Sequence, residues 1–154
     1  MGTYTLKEVK EIVDLIEKYQ LEGRDILKKY LLEEIVEIYN GAGPDSWLEI
    51  GREILTVLMR LFKPVIMIHD LDFDNSDGTE EKFQEVTARW IKNSRIVFDA
   101  EYPLFTWRWF CSPSYRIERA KWWAIMKTAN EAVSGESAME AWKAACERRK
   151  AAGK

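Results

Sequence analysis

Apolar residues recur every three or four positions along almost the whole chain, which is the spacing of one face of an α-helix. The first helix is predicted to begin at a capping box formed by Thr5 and Glu8. Its apolar face contains Val9, Ile12, Val13, Ile16 and Tyr19. A second helix is predicted from about Arg24 to Tyr39-Asn40-Gly41, because glycine readily takes the left-handed conformation that ends a helix. One side of this second helix carries Leu27, Leu31, Ile35 and Ile38.

A capping box predicts the start of the third helix, and a proline predicts the start of the fourth. Ser46 and Glu49 form another capping box, which opens a helix through about Phe62. Pro64 suits the first turn of the fourth helix, where its missing N–H is not needed. The apolar face of that helix contains Val65, Ile66, Ile68 and Phe73.

The second half of the chain continues the helical pattern. Thr79 is predicted to start a fifth helix after a stretch of turn residues. The side chains expected to face inward are Phe83, Val86, Trp90 and Ile91. Two last helices are predicted over about 115–133 and 137–149. Because no run predicts a β-strand and no repeat is present, the chain is expected to be one all-α domain over residues 1–154.

Composition restricts the functions that this helical domain could have. The chain has 154 residues, of which 47% are hydrophobic and 32% charged, as in globular proteins. Its net charge of −3 gives no reason to expect nucleic acid as a partner. The charge is nonetheless uneven, since residues 1–100 carry 13 basic and 20 acidic side chains and residues 101–154 carry 10 and 6. The single histidine, His69, excludes every site that needs two.

Two cysteines, Cys111 and Cys146, are too few for the disulfide framework of a small secreted domain, so free thiols are expected. The first residues lack the basic and apolar segments of a signal peptide. No apolar run approaches the length of a membrane span. The protein is therefore expected to be cytoplasmic.

One constellation of residues suggests chemistry. Glycines at alternate positions in Tyr39-Asn40-Gly41-Ala42-Gly43 would let several carbonyl groups point at one hard cation, and Asp70 could complete its shell. His69 would then lie beside that ion. Its imidazole, which titrates near neutral pH, suits the deprotonation of a water molecule.

These residues resemble the phospholipase A2 family. The calcium loop of that family has an aromatic-x-Gly-x-Gly core, its catalytic helix carries His-Asp, and an aromatic residue follows four positions after the histidine, as Phe73 does here. The chain is most similar to the short, disulfide-free versions found in viral capsid proteins and in bacteriophage or prophage genomes. The resemblance covers about residues 39–93 and leaves both ends of the chain unaccounted for.

The resemblance implies a role for each matching residue. His69 would be the general base for a water molecule that attacks an ester carbonyl, and Asp70 would hold calcium together with main-chain carbonyls. The residues that supply those carbonyls would be Tyr39, Gly41 and Gly43. The calcium ion and the Gly41 amide would stabilise the oxyanion. The implied partner is a phospholipid or membrane surface, and the implied setting includes association with a virion.

Two positions depart from the family pattern. Phe73 replaces the usual tyrosine, and Thr87 stands where the family has an aspartate that orients the histidine. A hydroxyl cannot stabilise an imidazolium as a carboxylate does. The orienting residue could instead be Glu85 or Asn93. The alternative function is therefore a non-catalytic interaction or structural protein with a degenerate site, which would bind further copies of itself or another phage protein.

Two other signals compete with this interpretation. Asp70, Asp72, Asp74 and Glu81 occupy four positions of an EF-hand calcium loop, but the required glycine is missing, so an acidic helix end is the favoured interpretation. The aromatic stretch from Phe105 to Phe110, continued by Trp122-Trp123, would suit a lipid interface or a protein partner. In a helical domain of this size, however, these side chains are expected to fill the core.

Overall fold

The computed structural model describes residues 4–41 and 52–153, and within these ranges the chain forms helices and no β-strand. The expectation of an all-α fold is confirmed. A short 3-10 helix, Arg24–Lys29, lies between the first two α-helices. The α-helices are α1 (Leu6–Lys18), α2 (Leu32–Gly41), α3 (Arg52–Leu61), α4 (Lys63–Asp74), α5 (Glu80–Glu101), α6 (Trp107–Cys111), α7 (Pro113–Ser134) and α8 (Glu136–Ala151). The predicted capping box of Ser46 and Glu49 lies outside the described residues.

Helix α1 begins as its sequence predicts. The Thr5 hydroxyl accepts a hydrogen bond from the Glu8 backbone N–H, and the Glu8 carboxylate accepts one from the Thr5 N–H at 2.8 Å. These two bonds satisfy donors that a helix start leaves without a partner. The face of α1 that points into the protein contains the buried residues Val9, Ile12 and Ile16.

The prediction of one continuous helix from Arg24 to Gly41 is wrong. Tyr30 has an extended backbone, and the Leu31 N–H donates to the Glu34 carboxylate at 2.6 Å, which caps a new helix. The interruption leaves Leu31 68% exposed, whereas the other residues of the expected apolar face, Leu27, Ile35 and Ile38, pack in or against the core. The Leu31 N–H would be bonded within the helix if the helix continued. The Glu34 side chain, three positions later, competes for this donor and binds it instead.

Helix α4 is the centre of the molecule, since it contacts α1, α2, α3, α5 and the 3-10 helix. Its buried residues cover nearly all of its circumference, as expected for a central helix. They are Pro64, Val65, Ile66, Met67, Ile68, Asp70, Leu71 and Asp72. The fold therefore surrounds the helix that carries His69 and Asp70.

The long helix α5 packs against α4 and also against the second long helix, α7. The Trp90 indole N–H donates to the Asn130 side-chain oxygen at 2.9 Å, which joins the two helices in the interior. The prediction that Ile91 faces inward is wrong, because 41% of it is exposed. Ile91 follows Trp90 directly, so it points about 100° away around the helix.

Among the described residues, none of the helices is both long enough and apolar enough to cross a membrane.

Candidate functional site

His69 and Asp70 are consecutive residues of α4, so their side chains leave the helix in different directions. The imidazole Nδ1 and the nearer Asp70 carboxylate oxygen are 3.8 Å apart. Both side chains are largely enclosed, with exposed fractions of 12% and 5%.

The His69 ring lies among aromatic side chains between α4 and α5. Its centroid is 5.3 Å from that of the Trp90 ring, in an edge-to-face arrangement, and 6.4 Å from that of Phe73. Phe73 in turn contacts Trp142 of α8, and the Arg149 guanidinium lies over its other side. The predicted supporting residue Phe73 therefore lies next to His69, within the aromatic packing that joins α4, α5 and α8.

Asp70, the next residue of α4, points about 100° away from His69 around the helix. Burial raises the pKa of the Tyr39 hydroxyl, and the nearby Tyr4 and Asp70 raise it further. Helices α2 and α4 pack against each other, and the Asp70 carboxylate is near enough to Tyr39 to raise that pKa. The structure thus brings Asp70 close to one of the predicted calcium-binding residues.

Tyr39 itself is held by packing and by its neighbours. Its ring lies 4.9 Å from that of Tyr4, and its hydroxyl donates to the Met59 sulfur at 3.7 Å. The adjacent Asn40 amide exchanges two hydrogen bonds with the Tyr4 backbone, at 2.7 and 3.0 Å. Tyr39 and Gly41 lie in the last turn of α2, where the sequence predicted the beginning of a loop. The predicted ligand Gly43 lies outside the described residues.

The candidates for orienting His69 have different positions. Thr87 is buried on α5. Glu85 instead binds Arg89 at 2.6 Å and Lys82 at 3.0 Å. Asn93 is fully buried, but its amide holds the Glu22 backbone, accepting from its N–H at 2.8 Å and donating to its carbonyl at 2.9 Å. Glu85 and Asn93 are therefore engaged in contacts that hold the helices together.

An EF-hand loop does not form. Asp70, Asp72 and Asp74 belong to one continuous helix, so their carboxylates cannot converge on one ion. Asp72 is buried and binds Arg89 of α5, whereas Asp74 accepts from the Tyr30 hydroxyl at 3.1 Å. An acidic helix end, the favoured interpretation, is what the structure shows.

Side chains alone do not make a metal centre in the part of the chain that the structure describes. No group of three or more histidine, cysteine, aspartate or glutamate side chains is placed there to hold an ion. A calcium ion beside Asp70 would therefore depend on main-chain carbonyls, as the sequence analysis proposed.

The expectation that the aromatic segment fills the core is wrong for its most prominent members. Phe105 is 76% exposed, Trp107 81% and Phe110 64%. Together with Leu104 and Ile117, which are also exposed, they form what we call the aromatic surface. Trp122 and Trp123, by contrast, do pack against the core.

Hydrogen bonds to the backbone of residues 102–109 lie behind the aromatic surface. The Tyr115 hydroxyl donates to the Pro103 carbonyl at 2.9 Å, and the Arg119 side chain donates to the Tyr102 carbonyl at 2.8 Å. The Arg116 guanidinium donates to the Trp109 carbonyl at 2.9 Å. These bonds satisfy the backbone of the short segment, which would otherwise need regular secondary structure to do so. The exposed side chains of the aromatic surface are therefore held in place by these backbone contacts and not by packing in the core.

A cavity of about 510 Å³ lies between α2, the end of α4 and α8. Glu34 and Glu37 line one wall and Arg149 and Lys150 the other, and Asp74 contributes from the end of α4. Its apolar lining includes Ile38 and the Tyr30 ring. Sequence reasoning missed this cavity because it joins residues more than 100 positions apart. For the aromatic surface there was a usable signal, since Tyr102 to Ile117 contains many aromatic residues and no acid.

Comparison of the chain with protein-family models, with characterised proteins and with solved structures finds no match.

Proposed function

We propose that this protein is a non-catalytic interaction or structural protein of phage or prophage type, built on a helical scaffold similar to that of phospholipase A2. The exposed aromatic surface is the observation that carries the proposal. Monomeric proteins rarely leave several large apolar side chains together in water, and such patches mark interaction sites. Trp and Arg, which this segment combines, are also enriched where binding energy is concentrated.

The surroundings of His69 support the non-catalytic interpretation. Its imidazole lies against Trp90 and Phe73, and 12% of the side chain is exposed, which leaves little room for a substrate ester. The carboxylates of Asp72 and Glu85 bind Arg89. A histidine base needs a partner that stabilises its protonated form. At the position where the phospholipase A2 family has an aspartate, this chain has Thr87, a neutral hydroxyl.

A second candidate is calcium-dependent hydrolysis of a phospholipid ester by His69 and Asp70. It is favoured by the proximity of the buried Asp70 carboxylate to Tyr39, the first residue of the proposed calcium loop. In that mechanism the ion would be held by Asp70 and the carbonyls of Tyr39, Gly41 and Gly43. The Gly41 amide would then stabilise the oxyanion.

The two candidates predict opposite results in a hydrolysis assay. For a non-catalytic protein, release of fatty acid from mixed phospholipid micelles should stay at the background rate with calcium or with a chelator. The variant His69→Gln should give the same rate, because it removes a base that is not used. Calcium should also leave the melting temperature unchanged, since a ligand that binds only the folded state would raise it.

The variant Asp70→Asn serves as the matched control for the calcium measurement. A calcium-dependent turnover that His69→Gln abolishes, together with a calcium-induced rise in melting temperature that Asp70→Asn removes, would establish the hydrolase and disprove the non-catalytic proposal.

A further inference from the structure

The aromatic surface and the 510 Å³ cavity lie at opposite ends of the molecule. Cavity residues Asp74 to Ser76 lie within six positions of the start of α5 at Glu80, whereas the aromatic surface begins at Leu104, three residues after α5 ends. The 22 residues of α5 span about 33 Å at 1.5 Å per residue. Since this distance is far longer than a side chain, the aromatic surface of one molecule cannot reach its own cavity.

The aromatic surface carries only positive charge. The segment from Tyr102 to Ile117 contains Arg108 and Arg116 and no acidic residue. Arg108 follows the most exposed tryptophan, Trp107, and its guanidinium lies over the Tyr115 ring 5.0 Å from the centroid. A partner for this surface must therefore offer an apolar recess with acidic groups beside it.

The wall of the cavity formed by α2 has these properties. Helix α2 contains Glu33, Glu34 and Glu37 and no basic residue. Ile38 and Tyr30 supply apolar lining, and Leu31, at the start of α2, is 68% exposed. On the other wall, Arg149 is occupied by Phe73 and by Asp74, whose carboxylate lies 3.7 Å away. On the α2 wall, Glu34 accepts from the Leu31 N–H, so Glu37 is the carboxylate that we expect to pair with a positively charged partner.

The cavity is also large enough for an aromatic side chain. Sites for small ligands have volumes of about 300–1,000 Å³, and this cavity of 510 Å³ falls within that range. An indole ring entering from outside would lie against Ile38 and Tyr30. The adjacent guanidinium would then lie near Glu34 and Glu37.

We infer that the aromatic surface of one molecule binds the α2 wall of the cavity of a second copy, with Trp107 inserted and Arg108 beside the α2 glutamates. This inference rests on the proposed function, for which it names the partner. Because two different surfaces meet, one copy of a bound pair keeps a free cavity and the other keeps a free aromatic surface. Head-to-tail contacts of this kind produce rings or filaments and not a closed pair.

The first experiment measures molar mass by light scattering and sedimentation from micromolar concentrations to about 1 mM, a range that detects weak contacts. The wild-type mass should rise with concentration beyond that of a dimer. Trp107→Ser and Glu37→Arg should each remain monomeric. Both residues are exposed and lie outside the core, so melting curves of the two variants should match that of the wild type. Glu11→Arg, an equal charge change at an exposed position of α1, is the matched control and should assemble normally.

The second experiment mixes the two monomeric variants. Trp107→Ser retains an intact cavity and Glu37→Arg retains an intact aromatic surface, so an equimolar mixture should form one contact and stop at a heterodimer. If the wild type instead assembled through two aromatic surfaces, the mixture would not restore the contact, because one partner lacks Trp107. A mixture that stays monomeric would therefore overturn the inference.

Other outcomes identify a different partner. If the wild type stays monomeric but sediments with vesicles of anionic phospholipid in a Trp107-dependent manner, the surface binds lipid and the inference is wrong. If the wild type is monomeric and binds no vesicles, the inference is likewise overturned. Neither result affects the non-catalytic proposal, which the hydrolysis assay decides separately.

Discussion

Phe105 has an unusual backbone conformation within the proposed interaction surface. Its φ of 57° places a bulky side chain in the left-handed region, which normally suits glycine. The side chain is 76% exposed, so packing gains do not compensate for this conformation. Backbone strain at an exposed aromatic residue is expected where an interaction requires the side chain.

Replacing Phe105 by glycine should therefore cost the fold nothing. Relief of the left-handed conformation is worth about 1–2 kcal/mol, and the greater chain entropy of unfolded glycine offsets about 0.5–1 kcal/mol of that. The free energy of unfolding of Phe105→Gly, measured by urea denaturation, should be unchanged or about 1 kcal/mol higher. Phe105→Ala, which keeps the strain, should not gain this stability. A loss of more than about 1 kcal/mol in the glycine variant would show that the side chain supports the fold.

The pairing of α4 with α5 depends on a charge that neither helix could accommodate alone. Asp72 lies near the C-terminus of α4, where the helix dipole disfavours a negative charge, and it is almost completely buried. Arg89 of α5 offsets this cost by binding the carboxylate. The same side chain lies across Gly23, where an added Cβ would come within 2.5 Å of the Arg89 Cδ. One arginine thus joins α4, α5 and the turn before the 3-10 helix.

The variant Arg89→Met should lower the free energy of unfolding by about 3–5 kcal/mol, because it leaves the buried Asp72 carboxylate without its partner. Methionine keeps the apolar stem of the side chain, so most of the loss should come from the charge. Urea denaturation of Asp72→Asn, Arg89→Met and the double variant completes a double-mutant cycle. The double variant should recover most of the stability. Additive losses would mean that the pair contributes only through packing.

At the level of the whole molecule, Asn93 connects segments that are 71 positions apart. Its fully buried amide forms two hydrogen bonds with the backbone of Glu22, in the turn that follows α1. Outside, Lys92 binds the Glu22 side chain. The N-terminal helices are therefore attached to α5 by an internal amide and by an exposed ion pair.

These two attachments should contribute very differently. Asn93→Ala leaves a backbone donor and a backbone acceptor without partners, so it should cost about 2–4 kcal/mol of unfolding free energy. Lys92→Ala removes a solvent-exposed pair at the same turn and should cost less than about 1 kcal/mol. Urea denaturation measures both, and hydrogen exchange should show local opening at residues 20–23 in Asn93→Ala only. Equal costs for the two variants would contradict this assignment.

The amino-acid sequence by itself predicted the features that depend on local interactions. Apolar spacing predicted the all-α fold, and the Thr5 and Glu8 capping box predicted the start of α1, because both depend on neighbours within one or two helical turns. The same local information misplaced the helix from Arg24 to Gly41. There the Glu34 carboxylate captures the Leu31 N–H, an outcome decided by competition between two local hydrogen bonds.

Contacts between distant segments were decided by the assembled fold. Glu85 and Asn93 are acceptable partners for His69 by residue type, but packing places their side chains on Arg89 and on the Glu22 backbone. Exposure of the aromatic segment and the cavity beneath α2 likewise depend on which helices cover which faces. Residue spacing reports which side of a helix is apolar, whereas the neighbour that covers that side, or the absence of one, follows from the packing of all the helices at once.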